Sequence, residues 1–486
     1  MLFNSIQFLI FFIVVLIGYF SIPKKYTWIW LLFSSYYFYM SWNVKYAVLM
    51  FMSTVITYLS GLLMSKSNKK MKKLWLVLSL TSNFAILFFF KYFNFFVDSL
   101  TKLASELGIL IHIPLSPYLL PVGISFYTFQ ALSYSIDVYR QDIGSEKHFG
   151  IYALYVSFFP QLVAGPIEKS INLLPQLKNK HTFESNRVKE SLLQIGWGLF
   201  KKIVIADRIA IIVNTIYDNP TNFDGLSLII ATILFAFQIY CDFSGYSDIA
   251  IGCAKIMGYN LMENFKSPYF SKTITEFWRS WHISLSSWFK EYLYIPLGGN
   301  RVSISRIYVN ILIVFLLSGL WHGANWTFIV WGGLHAIYQI VGNLTRKTRL
   351  SIYAILKINA NNLVYKIFQR FFIFSIVCFA WIFFRAESVS QALYIIKNLS
   401  IYSSQNSFAM FINSCGLNIS EFIIACVFIS LLLFVEGFAK KSNFYAWILR
   451  RKLAIRWGIY YLLIFSLIIF GAYGGFNETQ FIYFQF

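Results

Sequence analysis

The residues best suited to chemistry in this chain are two histidines forty positions apart. His282 closes the run Phe277-Trp278-Arg279-Ser280-Trp281-His282, and His322 sits in Trp321-His322-Gly323. Only six histidines occur in 486 residues, and His322 lies in a stretch apolar enough to span a membrane. A titratable ring in hydrocarbon is costly, so a chain that keeps one there uses it or pairs it. No Ser-His-Asp order and no Cys-His pair is readable nearby, which disfavours a nucleophile carried by this segment. His322 is better suited to act as a general base on a hydroxyl that arrives from elsewhere; a purely structural histidine is the competing reading. Gly319 and Gly323, one turn apart if the segment is helical, would admit a neighbouring backbone or a thin ligand.

Read as one helix, Phe277, Trp281, Leu285, Trp288 and Tyr292 fall on a single stripe, with Arg279 and Lys290 opposite and Glu276 nearby. That pattern describes a helix lying in the membrane interface. His282, on the flank of the stripe, is either a hydrogen-bonded histidine of an aromatic belt or the mouth of a donor site. In the second case Arg279 and Lys290 meet a phosphate-bearing ligand, with Asn325, just beyond His322, as a further ligand-binding residue.

The elements that must hold these residues are membrane helices. Hydrophobic residues make up 58% of the chain and charged residues 13%, against about 25% charged in a soluble domain. Apolar stretches of about 17–25 residues predict roughly twelve spans, give or take two. The first, Ile6 to Ile22, lacks a basic leader and a small-residue cleavage site, so it is expected to stay as a helix. The net charge of +21 would suggest nucleic acid in a soluble protein. Here the basic residues lie between spans, which excludes that class and marks cytosolic loops. Lys24-Lys25, the Lys66–Lys73 cluster and Lys440 through Arg456 then face the cytosol, leaving the N-terminus and the C-terminal tail outside. The five cysteines are scattered without metal-ligand spacing, and no metal is expected.

Leu120 to Phe126 and Phe158 to Pro166 are apolar runs broken by Pro and Gly. They read as re-entrant or tunnel-lining segments, since irregular backbone at membrane depth survives only inside protein or along a cavity; ordinary kinked helices are the alternative. Lys189 to Ile216, with Lys201-Lys202, reads as a basic amphipathic segment on the cytosolic face. Phe235 to Gly258 is apolar yet carries Asp242, Ser244, Ser247 and Asp248. Either acid could orient a histidine or pair with a lysine; an Asp near a span end is more often a turn or a cap. Glu168-Lys169 reads as loop. The segments 344–366 and 386–418 are polar connectors, and no internal repeat is found.

FWRSWHISLSSWFKEYLYIPLGGNR at 277–301 with SGLWHGANW at 318–326 resembles the membrane-bound O-acyltransferases, and within them the alginate and peptidoglycan O-acetyltransferase branch. LPVGISFYTFQ at 120–130, FPQLVAGPIEK at 159–169 and FQIYCDFSGYSDIAIG at 237–252 are similar too, so the likeness covers most of the chain. It implies an all-α, polytopic fold of 1–486 as a single domain around a central tunnel, with an acyl donor entering from the cytosol. His322 matches the family's essential histidine and His282 its second motif histidine. The final residues, Phe481-Ile482-Tyr483-Phe484-Gln485-Phe486, resemble the aromatic C-terminal motif of the related D-alanylation and O-acetylation systems. In the D-alanylation branch that motif is carried on a separate small protein and its tyrosine is proposed to carry the acyl group. Tyr483 takes that place here, on a tail that follows the last span within 457–486.

The resemblance therefore implies acetyl transfer from cytosolic acetyl-CoA through His322 to Tyr483. An extracytoplasmic serine esterase-like partner of the SGNH type would then pass the group to a polysaccharide, at the bacterial inner membrane. A tail that only anchors in the aromatic belt is the bland reading of the motif. D-alanyl transfer to teichoic acid and a transporter or flippase are the rival functions. Transporters of that kind carry paired interruptions in two related halves, and the interruptions here are not duplicated.

Overall fold

A computed structural model of the chain describes residues 1–355, 359, 362–401, 412, 415–439, 444–472 and 481–482. Among these, every regular element is helical. Seven helices are long and apolar enough to cross a membrane: Val44–Lys66, Lys69–Glu106, Gly225–Ile256, Ile304–His322, Leu363–Arg385, Ile419–Ala439 and Leu453–Phe470. Ile6–Ser21 is a shorter apolar helix. The all-helical, multi-pass expectation holds; seven is the count of such helices among the described residues, by length and composition, and the count of twelve is not confirmed. Several apolar runs fold as short or interrupted pieces, such as Phe149–Ser157 followed by Phe159–Leu162.

The chain divides into two compact units, Met1–Ile195 with Ile249–Met262, and Gly196–Asp248 with Glu263–Phe486. In the first, Ile6–Ser21, Lys24–Met40, Val44–Lys66 and Lys69–Leu87 follow one another through turns of two or three residues. Side-chain caps start three of them: Ser5 accepts from Phe8 N, Asn43 from Lys45 N and Asn68 from Met71 N. Those caps satisfy amide groups that lipid cannot. Small polar side chains join the helices inside, with Ser53 donating to Asn83 Oδ1 at 2.5 Å and Tyr152 to Thr57 Oγ1 at 2.7 Å. Beyond the long helix, residues 107–123 are irregular and are pinned by Asn94, whose amide bonds both the carbonyl and the N–H of Ser116.

Both broken segments of this unit are buried and meet each other. Gly123 has φ +74°, and a Cβ there would lie 2.9 Å from Leu162 O. The polar atoms of the breaks are tied to protein: Gln130 and Gln161 both donate to Tyr155 O, Tyr155 OH donates to Glu168 O, and Phe159 N–H donates to Ser35 Oγ. Glu168 lies in loop, as expected, but its carboxylate is buried and accepts from Met262 N and Asn172 Nδ2.

In the second unit the pairing that matters most is Ile304–His322 against Trp326–Leu344. A Cβ on Gly319 would lie 2.2 Å from Phe328 O, and one on Gly332 would lie 2.2 Å from Phe315 O. The backbones touch because neither position has a side chain, and His322 is one turn from that contact. A valine at 332 must push the helices apart. Gly332→Val should therefore lower the unfolding free energy in detergent by about 1–3 kcal/mol; a variant that melts with the wild type would show that this contact is not a constraint.

Candidate functional site

His322 is the last residue of Ile304–His322, and the chain turns extended at Gly323 (φ −159°) instead of continuing as helix. Gly319 and Gly323 are therefore not successive turns of one helix. The ring is buried and lies among Trp321, Trp331 and Phe384, with centroids 5.0, 5.1 and 5.4 Å away. His282 is wholly buried beside it, the two imidazole centroids 6.2 Å apart. The structure thus brings together the two histidines that the sequence singled out.

The stripe from Phe277 to Tyr292 is not one helix. Ile274–Trp278 ends, His282 adopts φ +44°, and Ile283–Phe289 starts anew before a π-helical turn at Lys290–Tyr294. Its apolar members Phe277, Trp281, Leu285 and Trp288 are buried. The left-handed residue turns the backbone so that His282 points inward instead of lying on a flank. Non-glycine residues in this conformation are strained and cluster at functional sites.

Asn264 fixes the tautomer of His282. The backbone N–H of Ser284 donates to Asn264 Oδ1 at 3.3 Å and Ser284 Oγ donates to it at 2.9 Å, so this atom is the carbonyl oxygen. The amide nitrogen donates to Ser247 Oγ at 3.2 Å. His282 Nδ1, 3.1 Å from the same oxygen, must then carry the proton, which leaves Nε2 as the acceptor nitrogen. Burial pushes the His282 pKa down to about 3, so the ring is neutral at physiological pH. Phe243 stacks edge-on against it at 4.7 Å.

The other expected residues are placed as follows. Arg279 and Lys290 are exposed and lie on separate helical pieces. Asn325 caps Trp326–Leu344 by accepting from Thr327 N, and its amide donates to Glu387 O at 2.9 Å, so the fold uses both ends of the side chain. Tyr483 lies outside the described residues. Among those residues, no group of three His, Cys, Asp or Glu side chains is placed to hold a metal ion.

Lys189 to Ile216 differs from expectation. Instead of lying on a wet face, it folds as Ser185–Leu199, a π-helical turn Phe200–Ala206 and Asp207–Asp218, and it buries Lys201 and Lys202. Lys201 pairs with Asp248 at 2.7 Å and donates to Ser244. Lys202 lies between Asp242 at 2.6 Å and Asp207 at 2.8 Å. The π turn reaches the Gly225–Ile256 helix because Gly245 has no side chain; a Cβ there would meet Gly198 O at 2.6 Å. Asp242 and Asp248 therefore pair with lysines from inside the Gly225–Ile256 helix, in place of the turn or cap that the sequence favoured.

Two residues of the site were missed. Asn264 sits in an unremarkable sequence. His335, one turn after Trp331, accepts from Trp278 Nε1 at 3.3 Å and stacks on Phe277, so it ties the His282 segment to the helix beyond His322. Its helical spacing from Trp331 could have flagged it.

Residues 25–404 match the model of the membrane-bound O-acyltransferase family. The chain is 39% identical over 398 residues to the probable alginate O-acetylase of Pseudomonas putida, covering 81% of this chain and 79% of that one. It is 37% identical over 402 residues to the peptidoglycan O-acetyltransferase of Helicobacter pylori, covering 76% and 73%. The teichoic acid D-alanyltransferase of Bacillus subtilis is 28% identical over 249 residues, 46% of this chain and 60% of that one. With a buried histidine pair inside the matched region, this chain is a multi-pass membrane acyltransferase and belongs to the membrane-bound O-acyltransferase family.

Proposed function

We propose that this acyltransferase carries an acetyl group from cytosolic acetyl-CoA across the bacterial inner membrane for O-acetylation of a polysaccharide of the alginate or peptidoglycan type. Tyr483 on the extracytoplasmic tail is the carrier. The observation behind this reading is the buried His282–His322 pair in a chain whose relatives are named for alginate and peptidoglycan O-acetylation.

In the proposed step the Tyr483 hydroxyl oxygen attacks the thioester carbonyl while His322 takes its proton. The carbon–oxygen bond forms, the carbon–sulfur bond breaks, and the departing thiolate takes the proton back from His322. Phenol and imidazole differ by roughly 3.5 pKa units in their ordinary values, about 5 kcal/mol, so proton removal accompanies bond formation and does not precede it. His322 ends its helix, where the aligned carbonyls favour the cation that forms. The hydroxyl's single proton goes to His322, so His282, neutral and with its Nδ1 proton committed to Asn264, lines the site as an uncharged neighbour of the base.

The exposed Arg279 and Lys290 attract the donor's phosphates at the cytosolic face, and Asn325 lines the donor's path near His322. A phenyl ester has a better leaving group than a sugar ester, so onward transfer by an extracytoplasmic serine esterase-like partner runs downhill. No activated acyl group need be made outside the membrane. D-alanyl transfer has weaker support, because its representative matches less than half of the chain.

His322→Ala should lower acetyl transfer in isolated membranes by about 10²–10⁴-fold while the protein still inserts; near-wild-type turnover would remove the base from the scheme. After incubation with labelled acetyl-CoA, mass spectrometry should find the label on Tyr483 in the C-terminal peptide. Tyr483→Phe should abolish both label and transfer despite keeping the aromatic bulk. A D-alanyl adduct, or an active Phe variant, would overturn the proposal.

A further inference from the structure

The buried carboxylate of Asp242 has two bonding partners, and the second comes from the far end of the chain. Lys202 Nζ lies 2.6 Å from Oδ1, and the backbone N–H of Ile482 donates to Oδ2 at 2.7 Å. Phe481 and Ile482 are 1% and 3% exposed. The Phe481 ring lies 4.7 Å from Tyr246 and 6.0 Å from Phe243, the same Phe243 that packs against His282. Ile482 joins the hydrophobic core of its unit. Asp242, Phe243 and Tyr246 all lie on the Gly225–Ile256 helix.

The charge balance explains why an amide is wanted there. Lys202 lies between Asp207 and Asp242, so Asp242 shares this cation with a second buried carboxylate. A buried carboxylate that is not fully neutralised needs hydrogen-bond donors, and a main-chain N–H supplies one without adding charge. We propose that Asp242, oriented by Lys202, is the docking site for the chain's own C-terminal segment. It grips the Ile482 amide while Phe481 anchors on Tyr246, and this fixes the register of the tail beside the histidine pair. Recognition through the main chain makes position, not side-chain identity, the quantity that Asp242 controls. Residue 483 follows the gripped amide directly, so Asp242 is a positioning residue for whatever that residue does. Only this consequence rests on Tyr483 being the carrier; the docking does not.

Hydrogen exchange of the full-length protein in lipid nanodiscs, read on the C-terminal peptide, tests the docking. Asp242→Leu leaves Lys202 paired with Asp207 and removes the acceptor, so exchange at Ile482 should become about 10- to 100-fold faster, with the rest of the unit unchanged. Asp242→Asn keeps an acceptor oxygen and should fall between that variant and the wild type. Tyr246→Ala leaves the ion pairs intact and removes the aromatic anchor, so it should speed the same amide even if the leucine variant fails to fold. An Ile482 amide that exchanges at the wild-type rate in Asp242→Leu or in Tyr246→Ala overturns the proposal. Acetyl label on Tyr483 is read separately, so loss of one reading is not mistaken for loss of the other.

Discussion

Hydrocarbon offers no hydrogen bonds, and that lack governs how the polar side chains around His282 are arranged. Asn264 shows the constraint at its tightest. Its carbonyl oxygen serves Ser284 twice and His282 once, while its amide nitrogen serves Ser247. A single side chain thereby fixes the rotation and the tautomer of a wholly buried histidine. The same logic runs through Gln130, Gln161 and Tyr155, which absorb the polar groups exposed where two apolar segments break.

Close approach is the second theme. Gly319 and Gly332 let two helices touch backbone to backbone next to His322, and Gly245 lets a π-helical turn bring two lysines against two aspartates. At Gly245 the missing side chain is what allows Lys201 and Lys202 to reach their partners. Buried ion pairs of this kind are weak evidence for stability, since desolvation offsets much of the attraction. Their value here lies in geometry: they hold Asp242 in one orientation.

Much of this was legible in the sequence, for physical reasons. Charge-poor composition and long apolar runs announce membrane helices, and scarce histidines in aromatic motifs announce the site. The breaks at Gly123 and around Pro160 were legible because glycine and proline interrupt helices. The break at His282 was not, since Ser280-Trp281-His282-Ile283 contains neither glycine nor proline, and the bonds of this turn to Asn264 appear only in the fold. Lys201 and Lys202 read as solvent-facing because local charge pattern cannot reveal partners forty residues away. Asp242 and Asp248, flanking Gly245 in an apolar stretch, were the available hint. Run length also does not tell a spanning helix from a folded-in fragment such as Phe149–Ser157.

The bond between Asp242 and Ile482 joins residues 240 positions apart. At about 5–20 residues per second, the ribosome needs on the order of 10–50 s to make that intervening stretch. Throughout that time the carboxylate is already being inserted while its amide donor does not yet exist. Lys202, made earlier and only five residues from Asp207, is at hand for that interval. Biogenesis of the site therefore runs in two stages: an early ionic scaffold assembled within the nascent protein, and a late closure that waits for Ile482 to be made.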